Sequence, residues 1–317
     1  MKKSPQSALG KAFCSTANLG AGFDVFGLAL DKFADKVRVR LTSGGQVRIF
    51  LKGTLGRGIP REANRNSAGP PAIAMLRKAG LKSGLEISIE KSVPQGLGLG
   101  SSGATAAAVT KTLDHLLGLK LSNDELVRIA SLGEKAVAGS AHADNVAASI
   151  LGGFAIVYDS PIRVVSLKPP RDLTIVVITP QLAVRRNKTR NARKIIPADI
   201  DVKKATLNIG RASAIVAGFA KGDIQMIGTG MEDEIAEPYR ERLIPGFSRV
   251  KRAALEAGAA GVSISGAGPS VIAIVDRKNH DPRLIGRVML RGFAESNVRS
   301  TVFVAHPARG ATIIEAS

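Results

Sequence analysis

The run Pro94-Gln95-Gly96-Leu97-Gly98-Leu99-Gly100-Ser101-Ser102-Gly103-Ala104 forces a strand to become a helix through a glycine hinge. Before it, Leu85, Ile87 and Ile89 alternate with Glu86, Ser88 and Glu90, the period of a half-buried strand. Pro94 cannot donate to a strand ladder and ends it. After it, Ala106, Val109, Leu113, Leu116 and Leu117 fall near helical spacing in an alanine-rich stretch, which predicts a helix from Ser101 or Ser102 to near Gly118. The loop therefore delivers a helix N-terminus. Free backbone N–H groups and the helix dipole favour an anion there, and glycines let that anion approach the main chain. The hydroxyls of Ser101 and Ser102 add donors, and one of them is within reach of a magnesium ion. Taken alone, such a turn serves equally well as a tight connection between strand and helix.

The Gly-Lys-Ser/Thr ending of a Walker loop is absent, as is a dinucleotide fingerprint followed by a ribose-binding acid. The run resembles instead the phosphate loop of the GHMP kinase family (galactose, homoserine, mevalonate and phosphomevalonate kinases), Pro-x-x-x-Gly-Leu-Gly-Ser-Ser-small. Two further family motifs stand in the right order. The segment from Ser15 to Leu30, with Asn18-Leu19-Gly20-Ala21-Gly22-Phe23-Asp24, is similar to the first, and Gly261 to Ser270, with Ser265-Gly266-Ala267-Gly268-Pro269, to the third. Gly133-Glu134 with Gly139 to Phe154, Glu237-Pro238-Tyr239-Arg240 with Ile244 to Phe247, and Thr189 to Pro197 resemble the homoserine kinase branch. The likeness covers nearly the whole chain. Small departures are Phe13-Cys14 and Ala21 where prolines are common, and Gly103 where the loop commonly has alanine.

The resemblance implies ATP and magnesium as cofactors and L-homoserine as acceptor. It places the nucleotide on Pro94, Gly96, Gly98, Leu99, Gly100, Ser101, Ser102, Gly103 and Ala104, with the adenine near Asn66. The magnesium falls to Ser102 and Glu134. A pocket for homoserine must neutralise a carboxylate, pair an ammonium and leave a primary hydroxyl facing the transferred phosphate. Arg193 and Arg240 can grip a carboxylate through the guanidinium fork, which lysine does not reproduce. Asp24 and Asp144 can take the ammonium or orient the alcohol, and Asn18, His142 and Asn145 offer hydrogen bonds. Phosphoryl transfer asks mainly for positioning and charge stabilisation, so Asn18, Asp24, Glu134 and Asn145 are read as the catalytic group without a committed base. Any one of these side chains alone reads as ordinary surface charge.

Elsewhere, Ser122 and Glu125 form a capping box that opens a helix carrying Glu134 and ending at Gly139. Alternation marks strands at 37–41 and 47–51, another strand opens at Lys11, and 173–178, 262–265 and 271–275 read as later strands. Helices are expected at 202–220, 248–257 and 282–294. The expected fold class is α+β, with two domains, 1–160 binding ATP and 161–317. By resemblance the first is like ribosomal protein S5 domain 2 and the second ferredoxin-like. Pro70-Pro71 weaken the Asn66 reading, because a helix is expected there.

With 44% hydrophobic residues among 317, the chain can bury one or two cores. Its single cysteine, Cys14, excludes an internal disulfide and suits a reducing cytoplasm. No signal peptide or eighteen-residue apolar run is present, which disfavours membrane insertion. A formal net charge of +19, from 45 basic and 26 acidic side chains, attracts ATP and also nucleic acid. The basic runs, Arg185 to Arg190 with Arg193-Lys194, and Arg249 with Lys251-Arg252, are not interleaved with aromatics, so no specific nucleic-acid surface is expected. The alternatives are another GHMP small-molecule kinase, of the archaeal shikimate or mevalonate type, and a basic nucleic-acid-binding protein. A homodimer is implied by resemblance.

Overall fold

The structure, a computed structural model, describes residues 6–138, 142–182 and 188–316. Its strands are β1 (Ser7–Ala17), β2 (Phe26–Thr42), β3 (Val47–Lys52), β4 (Gly84–Glu90), β5 (Phe154–Val157) and β6 (Val164–Leu167). They continue with β7 (Leu173–Pro180), β8 (Gly261–Ile264), β9 (Val271–Asp276), β10 (Ser300–Ala305) and β11 (Thr312–Ala316). The helices are α1 (Gly69–Lys78), α2 (Ser101–Leu116), α3 (Asn123–Ala138), α4 (Asp144–Leu151) and α5 (Lys188–Lys194). After them come α6 (Val202–Lys221), α7 (Ile224–Thr229), α8 (Glu237–Arg240), α9 (Phe247–Glu256) and α10 (Pro282–Ala294).

The first sheet runs β11-β1-β2-β4-β3, with β5 bonded to β2 and β6 to β5. All its pairings are antiparallel except β3 with β4. Helices α1 to α4 cover one face, where Val37, Val39, Ile87, Ile89, Val109, Leu113 and Ile129 share a core. The second sheet runs β10-β7-β9-β8, all antiparallel. With its helices it makes a β-α-β-β-α-β chain, the ferredoxin-like arrangement that the family resemblance implied.

β7 shows how the layers stack. Its eight residues are all buried, with Ile175 and Val177 facing a core shared with Leu28, Leu30, Phe154 and Phe219. Val176 and Ile178 face the opposite core under α9 and α10, beside Phe247, Val250, Met289 and Phe293. A strand buried on both faces loses the polar alternation, which is why 173–178 reads as one apolar run. Helices cap the molecule on both outer faces, and the cleft between the sheet units holds the loops.

Helices 202–221, 247–256 and 282–294 lie within a residue of expectation, and α6 and α10 start at capping aspartates. The Asp201 carboxylate accepts from Lys203 N at 2.9 Å and the Asp281 carboxylate from Arg283 N at 2.8 Å. The 122–125 capping box forms, with Glu125 N donating to Ser122 Oγ at 3.3 Å. Gly139, expected to end α3, lies outside the described residues. Pro70 and Pro71 do not interrupt α1. They occupy its first turn, where a missing N–H costs nothing. Cys14 is fully buried, and desolvation pushes its thiol up to about 12, so it packs as a small apolar side chain.

Candidate active site

Three segments far apart in sequence close on one another around the start of α2. Ser15 N donates to Leu99 O at 3.2 Å, Ser270 N to Leu97 O at 3.3 Å, and Gly266 N to Ala17 O at 3.1 Å. Ser265 Oγ donates to Gly98 O at 2.6 Å and lies 2.8 Å from Thr16 Oγ1. The approach is close enough to demand glycine. A Cβ on Gly98, whose φ is +79°, would fall 2.2 Å from Ser265 O. Asn18, itself at φ +75°, completes the knot, its amide donating to Gly266 O at 3.2 Å while its carbonyl accepts from Asp24 N at 3.1 Å.

Gly100, in the left-handed region, precedes α2 without any side-chain cap, so the first-turn N–H groups of the helix stay open to an anion. The two serines divide their work. Ser101 donates to Val93 O at 2.8 Å and receives Lys91 Nζ at 2.9 Å, so its hydroxyl holds the loop. The Ser102 hydroxyl lies beside the Glu134 carboxyl and favours its charged form. Gly103 and Ala104 do not line the cleft. Gly103 packs against Asn145 and Ala104 sits in the inter-sheet core.

The cleft is a cavity of about 710 Å³ lined by both sheet units. It brings together Asn18, Asp24, Asn66, Pro94, Gly96, Gly98, Leu99, Gly100, Ser101, Ser102, Glu134, His142, Asp144, Asn145, Arg193 and Arg240. Asn66 is buried with both amide ends used, Nδ2 donating to Pro60 O at 2.7 Å and Oδ1 accepting from Ala68 N at 3.0 Å. Asn145 Oδ1 accepts from Ser15 Oγ at 2.9 Å. Gly139, Ser140 and Ala141 of the motif before His142, and Arg185, Arg186 and Asn187 of the basic run, lie outside the described residues.

The electrostatics split into two groups. Burial drives both Glu134 and Asp144 up to about 6, helped by the neighbouring Asp144 charge in the first case and by Asp24 in the second. Glu134 is a buried helix carboxyl, not the exposed one its neighbour Lys135 suggests, and among the described residues its Oε1 has no hydrogen-bond partner. Asp24 behaves oppositely. Burial raises it, but hydrogen bonds and charge from His142 and Arg193 outweigh that and hold it below the usual carboxylate range. Its Oδ2 is ion-paired with Arg193 Nη1, and its Oδ1 lies 3.4 Å from His142 Nδ1. The Asp24 bond holds His142 above its ordinary value against burial. Arg240 is buried, its Nε donating to Ala192 O at 3.3 Å and Nη1 to Gly266 O at 2.9 Å.

Sequence reasoning missed two lysines and an aspartate here. Lys91 Nζ is ion-paired with Asp35, both fully enclosed, and also donates to Ser101 O at 3.0 Å and Thr105 Oγ1 at 2.9 Å. Asp35 Oδ1 accepts from Ser92 N at 2.9 Å and Val93 N at 3.0 Å. A signal was present. Asp35 is in phase with Val37 and Val39, and Lys91 with Ile87 and Ile89, so opposite charges occupy inward positions on β2 and just past the end of its partner β4. Lys188 Nζ donates to Gly96 O at 2.7 Å and to Gly268 O, tying the phosphate loop to the third glycine turn. Desolvation and the Arg240 charge lower it to about 7.

Two family models match the chain, that of the GHMP kinases N terminal domain over residues 68–153 and that of the GHMP kinases C terminal over residues 215–292. Homoserine kinase of Thermoplasma acidophilum is 40% identical over 301 residues, covering 95% of this chain and 94% of the relative. Homoserine kinase of Aeropyrum pernix is 39% identical over 311 residues, covering 97% and 98%. The crystal structure of homoserine kinase from Cytophaga hutchinsonii superposes with a TM-score of 0.89 at 37% identity, covering 99% of each chain. Mevalonate diphosphate decarboxylase from Staphylococcus aureus, 18% identical with a TM-score of 0.68, shares the fold.

Proposed function

The chain belongs to the GHMP kinase family, and from that premise we infer that it is a homoserine kinase. It transfers the terminal phosphoryl group of ATP to the hydroxyl of L-homoserine, giving O-phospho-L-homoserine for threonine biosynthesis. The observation that carries the substrate side is the Asp24–Arg193 ion pair at the cleft. A zwitterion fits into such a pair by partner exchange, its ammonium taking Asp24 and its carboxylate taking Arg193 with Arg240. Shikimate and mevalonate have a carboxylate but no ammonium, and leave Asp24 without its replacement cation.

On the nucleotide side, the uncapped N-terminus of α2 and the main chain of residues 96–102 face the phosphates, and Asn66 borders the adenine end. Magnesium suits the residues present, because Glu134 Oε1 is a buried carboxylate oxygen with no hydrogen-bond partner among the described residues and the Ser102 hydroxyl adjoins the carboxyl. Among the described residues no group of three His, Cys, Asp or Glu side chains assembles to hold a metal. Two protein oxygens, with phosphate and water for the rest, match how magnesium is bound. Such an ion neutralises charge on the phosphate oxygens when bound. Asn145, held by Ser15, and Asn18, held by Gly266, orient the alcohol and the loop, and catalysis is by in-line positioning without a dedicated base. We read the protein as cytoplasmic and homodimeric on family likeness. No helix among the described residues is long and apolar enough to cross a membrane.

The test is ADP release from ATP with magnesium, measured with homoserine, shikimate, mevalonate and no acceptor. Turnover with homoserine is expected. Turnover with shikimate or mevalonate and none with homoserine would overturn the pocket assignment while keeping the kinase.

A further inference from the structure

Phe23 precedes the cleft residue Asp24 and lies under two arginines of the cleft, yet packs into none of the three apolar cores of the described residues. Its ring is half-buried, and two guanidinium groups lie over it. Arg193 Cζ is 5.2 Å from the ring centroid and Arg240 Cζ is 5.1 Å. Both distances are within the range of a cation–π contact. The two arginines come from different elements, α5 and α8. Their charges repel: burial lowers the proton affinity of Arg240, and the Arg193 charge lowers it further. The remaining bonds leave the ring an evident task. Arg193 is paired with Asp24, and Arg240 is anchored through backbone oxygens of Ala192 and Gly266. The shared π-face is the contact that the two guanidinium groups have in common.

Phe23 is also aimed by its neighbour. Asp24 sits at φ +59° with its N–H bonded to Asn18, which fixes the turn that presents the ring and the Asp24 carboxylate side by side. Aromatic face and carboxylate thus act on adjacent arginines from adjacent positions in the chain.

We propose that Phe23 is a positioning residue that gathers Arg193 and Arg240 onto one substrate carboxylate and so sets selectivity for amino alcohols that carry one. The inference rests on the homoserine reading above and deepens it.

The test compares homoserine with 3-aminopropan-1-ol, the same amino alcohol lacking the carboxylate, in wild type, Phe23→Leu, Phe23→Tyr and Phe23→Trp. The readouts are KM for homoserine, the inhibition constant of 3-aminopropan-1-ol, KM for ATP, and kcat. Phe23→Leu should raise the homoserine KM about tenfold, the loss of two exposed to partly buried cation–π contacts, while the other three values stay within about twofold. The Tyr and Trp variants should keep the wild-type preference. Replacing Phe23 by pentafluorophenylalanine keeps the ring's shape and reverses its quadrupole, and should weaken homoserine as Leu does even if the Leu variant does not fold. Equal weakening of homoserine and 3-aminopropan-1-ol, or a fluorinated ring that leaves homoserine KM unchanged, would overturn the proposal. If the wild-type enzyme proves to use another carboxylated alcohol, the homoserine reading fails separately, and the same variants are compared on that acid and its decarboxylated analogue.

Discussion

A lysine taken out of water beside an arginine holds its proton weakly. Lys188 is such a residue, lowered to about 7 by desolvation and by Arg240, and its ammonium is the clasp between Gly96 and Gly268. The lowered value means the proton is lost as pH rises through about 7, well below where an exposed lysine would lose it. KM for ATP should therefore rise across that pH range in the wild type, and in Lys188→Met it should be high and lack that slope. A slope of the same size in both would show that another group titrates. Arg240→Ala should raise the homoserine KM by roughly a hundredfold, the worth of charge-assisted bonds to a carboxylate, with KM for ATP little changed. Lysine at this position should not restore binding, because its single ammonium cannot reproduce the fork. Steady-state kinetics on each variant decides both. Lys188 did not announce itself in a chain with 45 basic residues, where a lone lysine reads as surface. The arginines were legible only because motifs surrounded them.

At the scale of elements, the site depends on where α2 begins, and a buried ion pair sets that point. Lys91, just past β4, and Asp35, on β2, bind each other and hold Ser101, Thr105 and the amides of 92 and 93. Removing one member leaves a desolvated charge, so Lys91→Met should lower stability by about 3–5 kcal/mol, measured by denaturant unfolding. Adding Asp35→Leu to that variant should recover a large part of the loss, as apolar replacements of buried pairs do. Failure of the double variant to recover any stability would mean the network's other bonds to the loop dominate. Most elements were legible because local signals agreed. The aspartates that cap α6 and α10, and the apolar runs of β7 and β9, are written in a few consecutive residues. The first half of β2, β5, β6, β10 and β11 were not, since short strands whose pairing lies elsewhere carry little local pattern. The two prolines at the head of α1 misled because proline's effect depends on position within a helix, and boundaries are what a sequence shows least well.

For the whole molecule, the excess of positive charge acts at a distance. At +19 the protein attracts a polyanionic nucleotide, so kcat/KM for ATP should fall steadily with ionic strength while kcat stays nearly level. A flat kcat/KM would place the charge outside the field of the cleft. The large-scale arrangement, two sheets with the site between them, became readable only through the ordered motifs, because topology is a property of pairings that no periodicity encodes. One of those pairings reaches across almost the entire chain. β11 closes the outer edge of β1, Leu9 facing Glu315 and Lys11 facing Thr312. During synthesis β1 emerges well before β11, so its outer hydrogen-bonding edge stays open until some three hundred residues have followed it. Completion of the first sheet at β1 therefore waits for a strand made long after it.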